Sequence, residues 1–119
     1  MGNNLNRFSK EALADYLAPW EQSKEEIGKL YNDRDCNAAA KLQEMIVCYE
    51  GLLAYGGNGA HPQSGQQQPI LLPLNGEERL AFIKKQIHSH YAFVQLDALF
   101  DETKKKAARL AVIKKSVRE

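Results

Sequence analysis

Long apolar runs are missing from this chain of 119 residues. A membrane-spanning helix needs about 20 consecutive apolar residues, so the sequence excludes such a helix. The first residues also lack the apolar segment of a secretory signal. We therefore expect a cytoplasmic protein that does not use a membrane.

Cysteine is scarce, since Cys36 and Cys48 are the two thiols of the sequence. They fall in one predicted helix, where a separation of twelve residues corresponds to about 18 Å. A disulfide cannot bridge that distance. We predict that both cysteines are small buried apolar residues in a reducing compartment.

Motifs of catalysis and metal binding are missing as well. The sequence contains no C-x-x-C, no H-E-x-x-H, no G-x-S-x-G and no phosphate-binding loop. His88 and His90 would point to opposite sides of a regular helix, so they would not share a metal. We predict no metal, no cofactor and no enzymatic activity. An enzyme that uses Asp97, Asp101 and His90 near a pocket is the least favoured hypothesis.

The segment from residue 75 to residue 119 has no proline and no glycine after Gly76, which is typical of helix. Asn75 followed by Glu78 resembles a capping box at its start. Apolar residues recur there at steps of three and four, which predicts one buried helix face. This face consists of Leu80, Ile83, Ile87, Tyr91, Val94 and Ala98.

The polar residues 101–106 interrupt this apolar pattern, which leaves open whether the segment is one helix or two. A single helix would be about 60 Å long, longer than a domain of this size can cover. Either the chain turns near Asp101, or its tail projects and pairs with another copy. The pattern slightly favours the turn.

The N-terminal half predicts three further helices. Ser9 is suited to cap the first helix, and Pro19 should end it and begin the second, with Ala18 as the joint. A third helix begins near Asn37 and ends at Gly56 and the following glycine. We therefore predict a single all-α domain over residues 1–119, a bundle of four or five helices without a sheet.

Residues 56–74 are rich in glycine, glutamine and proline and carry no charged side chain. This composition predicts a long flexible connection. Its last residues, 69–74, are apolar and include Pro69 and Pro73, so they should be extended. This arm either closes over its own bundle or is lent to a partner. Both interpretations remain open.

Charge is distributed unevenly along the chain. Residues 1–76 contain six basic and nine acidic residues, whereas residues 77–119 contain ten basic and six acidic residues. The excess is greatest in residues 101–118, where basic and apolar residues alternate as in a basic amphipathic helix. Its positive charges either complement the acidic half of the chain or face an anionic partner.

These patterns favour a non-enzymatic protein–protein interaction module: a small subunit, adaptor or regulator that forms a homo-oligomer or docks on a larger protein. Its expected interface residues are Ile70, Leu71, Leu72, Leu74, Leu110, Ile113 and Val117. The alternative is a small nucleic-acid-binding protein whose C-terminal helix contacts phosphates. The cations for that role are Lys104, Lys105, Lys106, Arg109, Lys114, Lys115 and Arg118.

Overall fold

A computed structural model of the chain describes residues 7–60 and 65–118, with side chains as far as residue 111. The elements are α1 (Lys10–Asn32), α2 (Asn37–Gly56), β1 (Asn58–Ala60), β2 (Gln67–Pro69), α3 (Gly76–Lys85) and α4 (His90–Arg118). The predicted all-α bundle is therefore confirmed. The described residues also include an antiparallel pair of β1 and β2 inside the connection, which the prediction of no sheet missed. None of the described helices is long and apolar enough to cross a membrane.

Helix α1 begins where the sequence predicts, because the Ser9 hydroxyl accepts a hydrogen bond from the Ala12 amide at 3.1 Å. The predicted break at Pro19 is wrong, since α1 is continuous through this residue. A proline inside a helix costs about 3 kcal/mol. Leu17 and Trp20 are both buried beside it, and burial of each stabilises the fold by roughly 1.5–3 kcal/mol. Packing therefore outweighs the local preference.

The core lies between α1, α2 and α4. Trp20 of α1 stacks on Phe100 of α4, with their ring centroids 5.0 Å apart. Its indole nitrogen donates to Asp97 at 3.1 Å, which satisfies the one polar atom of this buried ring. Tyr49 of α2 meets the same Phe100 ring edge-on at 5.0 Å. Aromatic contacts thus join the three long helices.

The C-terminal segment forms two helices, but the chain turns at residues 86–89 and not near Asp101. The turn contains neither glycine nor proline. In a continuous helix the Ile87 carbonyl would accept a hydrogen bond from a backbone amide of the next turn. Here it accepts from the Tyr31 hydroxyl of α1 at 2.6 Å instead. The Ser89 hydroxyl accepts from the Tyr91 amide at 3.1 Å and starts α4.

Helix α4 continues through the polar residues 101–106, so the predicted turn near Asp101 is wrong. Thr103 is fully buried, and its hydroxyl shares a hydrogen bond of 2.7 Å with the Tyr49 hydroxyl. Lys105 pairs with Asp101 one turn away at 3.0 Å. The polar side chains therefore have partners on the helix or in the core, and the helix does not have to end.

Helix α3 begins at the expected residue for a different reason. Asn75 has a positive φ of 57°, and its side chain makes no capping hydrogen bond, so the predicted capping box is wrong. The first turn instead packs against the arm. A Cβ on Gly76 would lie 2.5 Å from Leu72 Cδ1. The close approach of Leu72 requires glycine at this position.

The arm closes over its own bundle, but its predicted extended conformation is wrong, because the chain turns at residues 70–71 and again at residues 74–75. Leu71 and Leu72 are 0% and 5% exposed and belong to the core. Leu71 lies against the end of α2, where a Cβ on Gly56 would be 2.7 Å from Leu71 Cδ1. Leu74, three residues further along, is 80% exposed. The same short segment therefore holds a core leucine and a surface leucine.

Replacing Leu71 by alanine should lower the free energy of unfolding by about 2–5 kcal/mol, because the change leaves a cavity in the core. Urea unfolding followed by circular dichroism measures this loss. Leu74→Ala is the matched control and should change the free energy of unfolding by no more than about 0.5 kcal/mol. Equal effects of the two substitutions would contradict the seating of the arm in the core.

Candidate functional site

Three large apolar side chains are exposed together where α3 and the start of α4 lie side by side. Phe82, Tyr91 and Val94 are 39%, 53% and 45% exposed. The Phe82 and Tyr91 rings meet edge-on with centroids 5.5 Å apart. Val94 follows Tyr91 by one helical turn, so the two side chains are neighbours on α4. We call these three residues the α3–α4 surface.

The sequence pattern placed Tyr91 and Val94 on a buried face, and this prediction is wrong. The pattern assumed one regular helix from residue 80 to residue 98. The turn at residues 86–89 restarts the helix and changes the face that reaches the core. In α4 the fully buried positions are Ala92, Leu96, Leu99 and Thr103. The exposed apolar surface is thus a consequence of the turn.

Other exposed apolar side chains have different surroundings. Val47 on α2 is 59% exposed, but its neighbours at three and four residues are Gln43, Glu44, Glu50 and Gly51. Isolated exposed apolar residues of this kind are common on protein surfaces. Phe82 and Tyr91 differ because their rings are in contact, and Val94 lies one turn after Tyr91, where it also borders the groove between α1 and α4. Clustering, not exposure alone, marks the α3–α4 surface.

An ion pair fixes α3 to α4 beside this surface. Both terminal nitrogens of Arg79 donate to the Glu102 carboxylate at 2.8 Å. The hydrogen bond to Arg79 is the largest influence on Glu102 and lowers the pKa of its carboxyl group. The same contact raises the pKa of Arg79. This two-pronged pair holds the helices at a defined separation.

The predicted interface residues have mixed positions. Leu71 and Leu72 are buried within the chain, so they offer no surface to a partner, whereas Leu74 is exposed. Ile70 and Leu110 are half-buried against the core. The side chains of Ile113 and Val117 lie outside the described part of the structure. Of the described residues in this predicted set, Leu74 is the one with a large exposed fraction.

Three of the predicted phosphate-binding cations contact the chain itself. Lys104 pairs with Glu21 at 2.7 Å, and Lys105 pairs with Asp101. Lys106 donates to the Leu72 carbonyl at 2.9 Å, and its partial burial lowers the pKa of its ammonium group. Arg109 is exposed. The side chains of the remaining cations, Lys114, Lys115 and Arg118, lie outside the described residues.

Asp97, Asp101 and His90 do not converge. Asp97 accepts from the Trp20 indole and lies 3.6 Å from Lys24. Both carboxylates line a groove of about 310 Å³ between α1 and α4. His90 stacks on Phe93 instead, and seven residues of helix place it about 10 Å from Asp97 along the axis. The structure therefore separates the histidine from the two carboxylates.

A second hollow, of about 400 Å³, lies where the turn between α3 and α4 meets the turn between α1 and α2. His88 and His90 both border it, contrary to the prediction of opposite directions, because His88 lies in the turn. Cys36 borders it too and is exposed, so its predicted burial is wrong. Cys48 is half-buried. No three histidine, cysteine or acidic side chains within the described residues are placed to hold a metal ion.

Comparison with known proteins gives one result. The model of a family described as YpoC-like protein matches residues 10–115, which is most of the chain. No curated protein matches the chain significantly. No solved structure matches it significantly either.

The Arg79–Glu102 pair predicts a pH dependence of stability. The pKa of Glu102 lies below its ordinary value of 4.5 in the folded chain, so the pair stabilises the fold above that value. This contribution disappears as the pH falls through the lowered pKa. Glu102→Gln should therefore reduce the free energy of unfolding at neutral pH by about 1 kcal/mol or less, since Glu102 is partly exposed.

Urea unfolding at a series of pH values tests this prediction, because the difference between the original chain and Glu102→Gln should shrink in acid. Glu77→Gln, at an exposed position of α3, is the matched control. A difference that stays constant down to strongly acidic pH would contradict the assignment.

Proposed function

The chain belongs to the YpoC-like protein family, and we propose that it is a protein–protein interaction module without enzymatic activity, which docks on a partner through the α3–α4 surface. The name of this family states no activity. The observation that carries the proposal is the contact between Phe82 and Tyr91 at the protein surface, with Val94 beside them.

The chemistry of the α3–α4 surface suits protein recognition. Aromatic residues are enriched at protein interfaces because they bury large apolar areas with few rotatable bonds. Full burial of an apolar side chain contributes about 1.5–3 kcal/mol, and these three side chains still have roughly half of that area to bury. A partner that covers all three gains a few kcal/mol from apolar contact alone.

The α3–α4 surface is also held in shape before any partner arrives. Its side chains lie on two helices, and the Arg79–Glu102 pair joins those helices. The Tyr31 hydroxyl holds the connecting turn at Ile87. Binding to a preordered surface avoids the entropy cost of ordering it. This arrangement supports a role as a small subunit or adaptor.

Site-specific crosslinking in the cells that make the protein tests the proposal. A photoreactive amino acid in place of Phe82 should give a covalent adduct on illumination, because this position would face the bound protein. Mass spectrometry of the adduct identifies the protein attached.

The same photoreactive amino acid in place of Val47 is the matched control, since Val47 is exposed among polar neighbours. We expect an adduct from position 82 and none from position 47. Absence of any adduct at position 82 would refute the proposed function.

A further inference from the structure

The exposed side of α3 carries an ordered series of charges. Glu78, Phe82 and Lys85 follow one another at steps of four and three residues, so they form one strip along the helix. Glu78 and Lys85 are exposed. Within the part of the chain that the structure describes, neither belongs to an ion pair. The strip therefore presents an acidic group, an apolar ring and a basic group in sequence.

Helix α4 does not repeat this polarity, because its acidic residue Asp101 is paired with Lys105. Phe82 meets Tyr91 near the turn, and Arg79 reaches Glu102 further along, so the two helices run antiparallel. Asp101 consequently lies at the same end as Glu78. Lys85 lies at the turn end, where the neighbouring Lys84 is paired with Glu50. The charge polarity of the α3–α4 surface therefore comes from α3, on which Glu78 and Lys85 lie on either side of Phe82.

We propose that the partner of the α3–α4 surface is a second copy of this chain; this inference rests on the proposed function. Two copies can pack these surfaces face to face about a two-fold axis. The axis can run either along the helices or across them. An axis along the helices places like charges opposite each other. An axis across the helices places Glu78 of one copy opposite Lys85 of the other, on both sides of the apolar residues. The charges therefore select the crosswise axis.

The size of the surface indicates a reversible dimer. Helix α3 is about 15 Å long, and the part of α4 with described side chains is about 33 Å long. With both helices covered along these full lengths, helices about 10 Å wide offer at most roughly 500 Å² on each copy. A total of about 1,000 Å² is at the lower limit for a specific interface. We expect exchange between monomer and dimer, with a dissociation constant of about micromolar order.

Sedimentation velocity over a wide range of concentrations tests the inference. The purified chain should shift from 13.4 kDa to twice that mass as its concentration rises. Val94→Glu should keep it monomeric, because a carboxylate in the apolar centre opposes packing. Val47→Glu is the matched control and should dimerise normally. Urea unfolding of both variants establishes that each remains folded.

A charge exchange tests the crosswise axis. Lys85→Glu should weaken the dimer by about tenfold or more, because it places acidic groups opposite Glu78 at both ends. Adding Glu78→Lys should restore the dimer. Residues 78 and 85 are about 10 Å apart along α3, too far for direct contact within one copy. Restoration therefore requires contact between copies, and its absence would overturn the proposed arrangement.

The outcomes separate the two proposals. A crosslink from position 82 to a second copy supports this inference together with the proposed function. A wild-type chain that stays monomeric at every concentration overturns the dimer, as does a dimer that Val94→Glu leaves intact. A crosslink from position 82 exclusively to a different protein also overturns the dimer but leaves the proposed function standing. No crosslink at all refutes both.

Discussion

The hydrogen bond between the hydroxyl groups of Tyr49 and Thr103 allows α4 to place a polar residue in the core, and much of the fold depends on the continuity of this helix. The bond is 2.7 Å long, and both side chains are fully buried. Burial raises the pKa of Tyr49 to about 12. Because Thr103 has a partner inside the core, α4 passes through its polar stretch without ending. A single long helix can then contact α1 through Phe100, α3 through Glu102 and the arm through Lys106.

The sequence predicts features of this fold that depend on nearby residues. The Ser9 cap and the end of α2 at Gly56 each follow from a few adjacent residues. The errors have a common cause, which is a partner far away along the chain. The turn at residues 86–89 depends on Tyr31, 56 residues before Ile87. The continuity of α1 at Pro19 depends on contacts of Trp20 with α4.

The same cause explains why the α3–α4 surface was not foreseen. Periodicity identified Tyr91 and Val94 as apolar positions of one helix but assigned them to the core. Their exposure depends on the new helix that starts at His90, and Phe82 adjoins Tyr91 only after the chain has reversed. Of the two interpretations that the sequence leaves open for the arm, closure over its own bundle holds for Leu71 and Leu72, whereas Leu74 is exposed. Leu71 and Leu72 can enter the core because Gly56 and Gly76 have no side chains in their way. No local sequence pattern reveals these contacts.

The uneven charge of the sequence also has a structural explanation. Ion pairs join the acidic N-terminal half to the basic C-terminal half at Glu21–Lys104 and Glu50–Lys84. Part of the positive charge of the C-terminal segment is therefore paired with acidic side chains of the same chain. Each such pair is partly exposed and contributes only about 0–1 kcal/mol, so these pairs orient the helices more than they stabilise them. Among the described residues, Glu78 and Lys85 belong to no ion pair, and they lie on either side of Phe82 along α3. Under the proposed dimer, these two charges pair between copies on either side of the apolar side chains.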